Sequence, residues 1–350
     1  MKVARLYDYL DVRIEDEPVP HPGPGEALVR TRACGICSGD VVPWYIRKKA
    51  PLVFGHEPVG EIVEVGAGVT HLTPGTRVFV HHHAPCLQCR ACRRGEFVQC
   101  PTWRATRIIP GGMAEYFLVP DANLAGDTLA LPESVSDEDG ALVEPTACVV
   151  KSLARAGQVA GASVLIIGLG VMGQLHVLLA RHLGARQVLG ADLVATRCAR
   201  ARALGADVAI DASAGDLAEQ VLDATAGEGA EIVIVGPATI EALEIGLRCV
   251  ARGGAVVQFM GTPPDARLQL STNDLYFREI RLVPSYSCGP METRAALRYI
   301  AEGIISARHV VTHRFPLAAA GDAYRVAAED KTSIKTLVTF GEARTAATPA

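Results

Sequence analysis

Residues 163–192 read SVLIIGLGVMGQLHVLLARHLGARQVLGAD. Val164–Ile167 is a short β-rich run, and a helical stretch follows it through Leu183. Between them Gly168, Gly170 and Gly173 complete GxGxxG. Glycine permits the tight turn and lets backbone N–H groups approach a pyrophosphate, while the following helix points its positive end at those phosphates. Gly168, Gly170, Val171, Met172 and Gly173 are therefore expected to bind a dinucleotide. The glycines alone are a weak signal, but the next strand, Gln187–Ala191, is followed by an acid, Asp192, about 20 residues on. That carboxylate would accept hydrogen bonds from the adenosine ribose and repel a 2′-phosphate, so NAD is expected over NADP. Arg197 lies nearby and could weaken the preference, or lie on the helix surface beside the adenine.

The same segment could mislead a hydropathy scan, because residues 156–180 carry no formal charge. Its glycines, Gln174 and His176 fit a buried strand turning into a helix better than a membrane span. Downstream, strand and helix alternate. Asp207–Ile210, Glu231–Val235, Ala255–Phe259 and Ile280–Pro284 read as strands, with helices around Asp216–Ala224 and Thr239–Val250. Six parallel strands with glycine-bearing turns make a doubly wound α/β Rossmann domain, expected over residues 147–284. Residues 1–146 differ, with short β-like runs and many prolines and glycines. The tail from Ser285 adds a helix, Glu292–Gly303, and a last strand, Ile334–Phe340. The final residues, EARTAATPA, read as a frayed end.

Composition agrees with an intracellular enzyme. The 350 residues are enough for two domains, and 49% of them are hydrophobic, enough for a large core. A net charge of −4 offers no electrostatic reason to bind nucleic acid or anionic membrane. The N-terminus MKVARLYDYLDVRIEDE lacks the uncharged core of a signal peptide, and ten cysteines suit a reducing cytosol. A cytoplasmic protein is expected.

Four of those cysteines lie in CLQCRACRRGEFVQC: Cys86, Cys89, Cys92 and Cys100. Thiolates so spaced can wrap one loop around a tetrahedral zinc and fill every position, which is a structural site. Disulfides, unrelated free thiols and an iron–sulfur cluster, which usually prefers other spacings, are the alternatives. A third constellation could supply chemistry. Cys37 in CGICSGD, His56 and Glu57 in FGHEPVG, and Glu144 in ALVEPTA offer a thiolate, an imidazole and two carboxylates. Zinc held by three such ligands keeps one position open for an alcohol or carbonyl oxygen.

CGIC, GHE, the cysteine loop, EP and GLGVMG, in this order, resemble the zinc-dependent medium-chain alcohol dehydrogenase family over essentially the whole chain. Glutamate in the EP motif resembles the polyol and sorbitol dehydrogenase branch and its threonine dehydrogenase relatives. The resemblance implies a GroES-like, mainly β catalytic domain of residues 1–146 completed by 285–350, with the active-site cleft between it and the nucleotide domain. It implies two zinc ions per subunit, one catalytic and one structural, and a homodimer or homotetramer joined through the last nucleotide-domain strand. Cys37 and His56 would be direct ligands of the catalytic zinc, and Glu57 and Glu144 would bind it directly or through water. Lys335 in SIKTLVTF resembles a basic residue that reaches the cofactor pyrophosphate in some members; otherwise it is a solvated strand-end lysine.

The chain departs from the family in its proton path. Members usually carry Ser or Thr two residues after the zinc cysteine, and many a His three residues later; here Gly39 and Val42 stand there, with Ser38 displaced by one. A backbone shift could bring Ser38 into reach, but a strand-like segment would turn it to the opposite face. His82, in the HHH run, resembles a substrate-pocket position and could touch substrate or relay its proton, since imidazole titrates in the useful range. The other reading is that the three histidines end a strand in solvent. His81 and His83 are expected to face elsewhere. Trp44 is expected in the pocket, stacking on a sugar or closing the wall. Arg104 and Arg107 read as surface charges, with an anionic substrate as the alternative.

The leading expectation is an NAD-dependent zinc oxidoreductase acting on a secondary alcohol, polyol, sugar or amino-alcohol, or the matching ketone. A reductase of an activated carbonyl or conjugated double bond and a non-catalytic redox sensor are the alternatives.

Overall fold

The computed structural model describes residues 1–341; the EARTAATPA end lies outside the described residues. The chain divides into two compact units, Cys148–Ser287 and Met1–Ala147 together with the chain from Cys288 onward.

The unit Cys148–Ser287 carries a six-stranded sheet in the order Val208–Asp211, Gln187–Asp192, Ser163–Ile167, Ala230–Val235, Val250–Gln258, Arg281–Pro284. Every pair is parallel. Ser163–Ile167 is buried along its whole length, as a strand covered on both faces must be. Gly168 has φ +89° at the turn, and a Cβ at Gly173 would lie 2.1 Å from the Gly168 carbonyl oxygen. The third glycine thus lets the helix Val171–His182 pack against the turn, while nothing lies within 4 Å of the Cβ position at Gly170, so the backbone there is open to a ligand.

Two helices of this unit were not expected from the sequence, Ala195–Ala203 and Thr272–Arg278. The first buries only Cys198 and Ala201 and the second buries nothing, so neither displays an apolar stripe. The strand expected at Ala255–Phe259 spans Val250–Gln258, beginning before the Arg252-Gly253-Gly254 run. Its register shifts there, pairing Val250 with Ala230 and Ala255 with Ile232, so the glycines sit in a bulge.

The other unit is mainly β. A seven-stranded sheet runs Val311–Pro316, Lys335–Thr339, Ala27–Gly35, Glu57–Val65, Arg77–Val80, Thr128–Ala130, with Tyr116–Val119 also pairing Ala27–Gly35. A three-stranded sheet joins Asp11–Asp16, Lys2–Asp8 and Leu52–Val53. Register is what places chemistry here. Gly35 pairs with Glu57 on one side and Leu337 on the other, so the ends of three strands, including Lys335–Thr339 from the far end of the chain, converge next to Cys37. The helix Ala320–Glu329 buries Ala320, Ala323 and Tyr324, one helical face, in the same core as Phe54 and Val338. Tyr324 meets Phe54 edge-on at 5.6 Å and donates its hydroxyl hydrogen to the Asp40 carbonyl, holding the segments on both sides of the site.

Among the described residues no helix is long and apolar enough to cross a membrane.

Candidate active site and metal centres

The cysteine loop forms a compact knot. Cys89 and Cys92 sulfurs lie 3.6 Å apart, as do those of Cys86 and Cys100. A tetrahedron with Zn–S of about 2.3 Å has edges of about 3.8 Å, so the thiols already stand at metal-ligand spacing. All four are free, and 3.6 Å is far outside a disulfide bond. Burial raises the Cys100 pKa, but the backbone N–H groups of Cys86 and Trp103 oppose it and bring the value down to about 6. Burial, with Cys89 and Cys100 beside it, pushes Cys92 the other way, up to about 12, so the metal-free thiols of the knot differ widely in acidity.

The second group stands at the strand convergence. Cys37, His56 and Glu57 place one donor atom each within 4.8 Å of one another. Cys37 caps a short 3₁₀ helix, Ser38–Val41, its sulfur accepting the Gly39 N–H at 3.3 Å. The segment is thus a helical turn and not the strand-like run expected from the sequence. Ser38 is exposed on it, so the displaced hydroxyl is not held among the buried groups. His56 Nδ1 lies 3.3 Å from Asp40 Oδ2. Burial disfavours the imidazolium, yet the Asp40 and Cys37 charges outweigh burial and raise the His56 pKa well above its ordinary value. Cys37 itself is pushed up by burial.

Glu57 and Lys335 form a fully buried ion pair, Lys335 donating also to the Ile36 carbonyl at 3.0 Å. Burial raises Glu57 and Lys335 holds it back; burial lowers Lys335 and Glu57 more than offsets it. Lys335 is therefore neither a solvated lysine nor available to a pyrophosphate, and its role is to hold Glu57. Gly35 makes room for the pair: a Cβ there would lie 1.7 Å from Glu57 Oε2 and 2.8 Å from Lys335 Cε. The other carboxylate oxygen, Glu57 Oε1, is buried without a hydrogen-bond partner. An orphaned carboxylate oxygen beside a thiol and an imidazole fits a divalent cation with the ligand preferences of zinc.

Glu144 opens the helix Val143–Ala156. Its carboxylate lies within 4.8 Å of His81 and Cys288 donor atoms, and its charge also acts on Glu57 and Lys335, so it borders the group of Cys37, His56 and Glu57. The three histidine rings pack in a row, His81 to His82 at 5.1 Å and His82 to His83 at 4.1 Å between centroids, but take different partners. His81 is fully buried and pairs through Nδ1 with Asp127 Oδ2 at 2.8 Å. His82 turns toward His56, with ring centroids 4.8 Å apart, and His83 stacks obliquely on Trp103 and bonds the Thr106 carbonyl. None of them ends a strand in solvent, since the strand stops at Val80. His82 Nδ1 is buried without a partner. Burial, then the neighbouring His83 and His56, push the His82 pKa well below its ordinary value, so the ring stays neutral near pH 7. Trp44 lies half-buried in the short helix Pro43–Arg47, edge-on to Tyr45 at 5.6 Å.

In the nucleotide-type unit Asp192 Oδ2 accepts the Leu169 N–H at 2.6 Å and Oδ1 the Val194 N–H at 2.9 Å. Its carboxylate thus shapes the glycine turn as well as marking the end of its strand. Arg197 Nη1 lies 3.9 Å from Asp192 Oδ2. Asp40, Asp127 and Cys288 were not anticipated from the sequence. Asp40 sits three residues after Cys37 and could have been suspected as a histidine partner; nothing in the local sequence marks the other two.

Comparison with known proteins agrees with this anatomy. Residues 23–129 match the alcohol dehydrogenase GroES-like domain, and residues 171–302 match the zinc-binding dehydrogenase domain. Sorbitol dehydrogenase of Gallus gallus is 32% identical over 90% of this chain and 89% of its own. L-threonine 3-dehydrogenase of Pyrococcus horikoshii is 32% identical over 85% of this chain and 86% of its own. Among solved structures, a Sinorhizobium meliloti protein described as a zinc-binding dehydrogenase and bound to NADP superposes with a TM-score of 0.87 at 31% identity, over 97% of this chain and 98% of that one.

Proposed function

The chain belongs to the zinc-dependent alcohol dehydrogenase family, oxidoreductases acting on small molecules, and from that premise we propose that it transfers a hydride between a secondary alcohol of the polyol, sugar or amino-alcohol class and NAD. The observation that carries the reading is the convergence of Cys37, His56 and Glu57 with an orphaned carboxylate oxygen. Those three residues would hold a zinc ion, which when bound supplies Lewis-acid polarisation of an alcohol or carbonyl oxygen.

The protein's own groups do the positioning. Asp40 orients His56, and Lys335 fixes one oxygen of Glu57 so that the other stays free. His82 Nδ1 presents a lone pair or a proton, according to tautomer, to a substrate hydroxyl or carbonyl. Burial and the neighbouring His83 and His56 push its pKa down and keep the ring neutral, which suits a hydrogen bond that orients the substrate oxygen. His82→Ala removes one hydrogen bond to the substrate and is expected to raise KM about tenfold. A larger loss in kcat than in KM, measured by steady-state kinetics across pH, identifies proton relay as its main task.

Gly168–Gly173 and the N-terminus of the helix Val171–His182 would take the pyrophosphate, and Asp192 the adenosine ribose. NAD is preferred on the strength of Asp192. The second reading, NADP, has Arg197 beside Asp192 and the NADP-bound S. meliloti relative in its favour. Reduction of NAD and of NADP, followed by absorbance with a panel of polyols, amino-alcohols and simple secondary alcohols, tests both. The expected result is metal-dependent NAD reduction with a polyol or amino-alcohol and a kcat/KM for NAD above that for NADP. Activity confined to reduction of conjugated double bonds replaces the proposal with the reductase alternative. A homodimer or homotetramer joined through the edge strand Arg281–Pro284 is part of the same proposal, supported by the exposed Tyr276 and Phe277 just before it in the chain.

A further inference from the structure

Four rings run from the cysteine loop to the Cys37 group. Their centroids lie 4.2 Å apart between Trp103 and His83, 4.1 Å between His83 and His82, and 4.8 Å between His82 and His56. His81 closes the side of the row, edge-on to His82 at 5.1 Å and 6.3 Å from Trp103. Trp103 thus backs both of the rings that flank His82. It stands in the short helix Pro101–Ala105 that follows Cys100, is buried in one apolar cluster with Cys92 and Cys100, and directs its backbone N–H to the Cys100 sulfur.

The flanking rings are pinned by hydrogen bonds and the middle one is not. His81 pairs through Nδ1 with Asp127 Oδ2 at 2.8 Å, and His83 Nδ1 donates to the Thr106 carbonyl. Thr106 is tied in turn, its Oγ1 accepting the Ala84 N–H at 3.0 Å. No group among the described residues hydrogen-bonds to the His82 ring. Rotation of an imidazole about its last side-chain bond is broad, so without such a bond the direction of the His82 nitrogens is set by the rings packed around it. Burial brings the His83 pKa down to about 4 and pushes that of His82 well below its ordinary value, so the two neutral rings stack without charge repulsion.

We propose that Trp103, acting through His83 and His81, is a positioning residue for His82: it fixes the direction in which His82 meets the substrate oxygen, and so carries the fold of the cysteine loop into the reaction site. The kinetic consequence rests on the substrate contact assigned to His82 above, whereas the orientation of the ring is open to test without turnover.

Trp103→Leu removes the ring and Trp103→Phe keeps one, and both are compared with full-length wild type at equal zinc content per chain. In crystals, Trp103→Phe is expected to keep the His82–His56 centroid distance of 4.8 Å, and Trp103→Leu to place His82 in a second rotamer. In steady-state kinetics with the best alcohol substrate, Trp103→Leu is expected to raise KM about three- to tenfold with a smaller change in kcat, and Trp103→Phe to recover most of that rise. Added to His82→Ala, Trp103→Leu should raise KM no further, because the ring it aims is gone. An unmoved His82 ring in Trp103→Leu overturns the proposal. So does an unchanged KM where His82→Ala raises it, or a rise that multiplies with that of His82→Ala, since Trp103 would then act by another route. If no alcohol is oxidised the functional reading fails, and the crystal comparison decides the positioning role by itself. Should Trp103→Leu fold poorly, His83→Leu and His83→Phe take the place of the two Trp103 variants with the same expected results, because His83 is half-buried and stands between Trp103 and His82; an unmoved His82 ring in His83→Leu overturns the proposal equally.

Discussion

Cys37→Ala is expected to lower alcohol oxidation about 10³-fold or more while leaving the fold intact. A Lewis acid at the reacting oxygen contributes several kcal/mol, and each 1.36 kcal/mol is about a factor of ten in rate. The sulfur's structural part is small by comparison: it accepts the Gly39 N–H at 3.3 Å and meets the His56 ring, at the start of a 3₁₀ turn that Tyr324 also holds through the Asp40 carbonyl. Turnover and zinc content should therefore fall together, with one zinc lost per chain. The unfolding midpoint should hardly move. Wild-type turnover in the variant would show that the Cys37 group is not the reaction centre, and loss of turnover with zinc fully retained would assign Cys37 another task.

Lys335→Met is expected to destabilise the unit that contains it by about 3–5 kcal/mol in zinc-free protein, because it leaves the Glu57 carboxylate buried with its ion partner gone. The companion variant Glu57→Gln/Lys335→Met removes both charges and should recover most of that loss. The chain's two tryptophans, Trp44 and Trp103, both lie in this unit, so urea unfolding followed by their fluorescence reports its stability separately from the nucleotide-type unit. Zinc should narrow the gap between Lys335→Met and wild type, since a cation bound through Glu57 replaces part of the missing charge. An equal loss in the single and double variants would mean that Lys335 acts by packing and not by charge.

The glycine turn of the nucleotide-type unit was legible because its signals are local. A buried strand, three glycines and a helix follow one another within twenty residues, and the reason for each glycine is a steric fact of that one turn, such as the Gly173 Cβ that would strike the Gly168 carbonyl. The cysteine loop was legible for the same reason. Its four sulfurs need only a few intervening residues to meet, so spacing carries the geometry. The helix Ala195–Ala203 escaped because it buries almost nothing and therefore shows no apolar period.

Long-range chemistry was legible only as a list of candidate donors. That Cys37, His56 and Glu57 share one centre could be supposed from their types, but Lys335 belongs to it through strand register, Gly35 pairing at once with Glu57 and Leu337. A lysine read as a solvent or phosphate contact is instead the buried counter-charge of the Glu57 carboxylate. Ser38 moved the other way, out to the surface, because the residues after Cys37 coil into a 3₁₀ turn whose hydrogen bonds are tertiary as well as local.

Donor types, short spacings and turn glycines were thus written in the order of residues, since they act over one loop or one helical turn. Which histidine faces which carboxylate was settled by folding. His81 meets Asp127 and Cys288, and His82 meets His56, because sheet pairing and helix packing bring together segments up to 207 residues apart, and no local pattern encodes the partner of a side chain at that range.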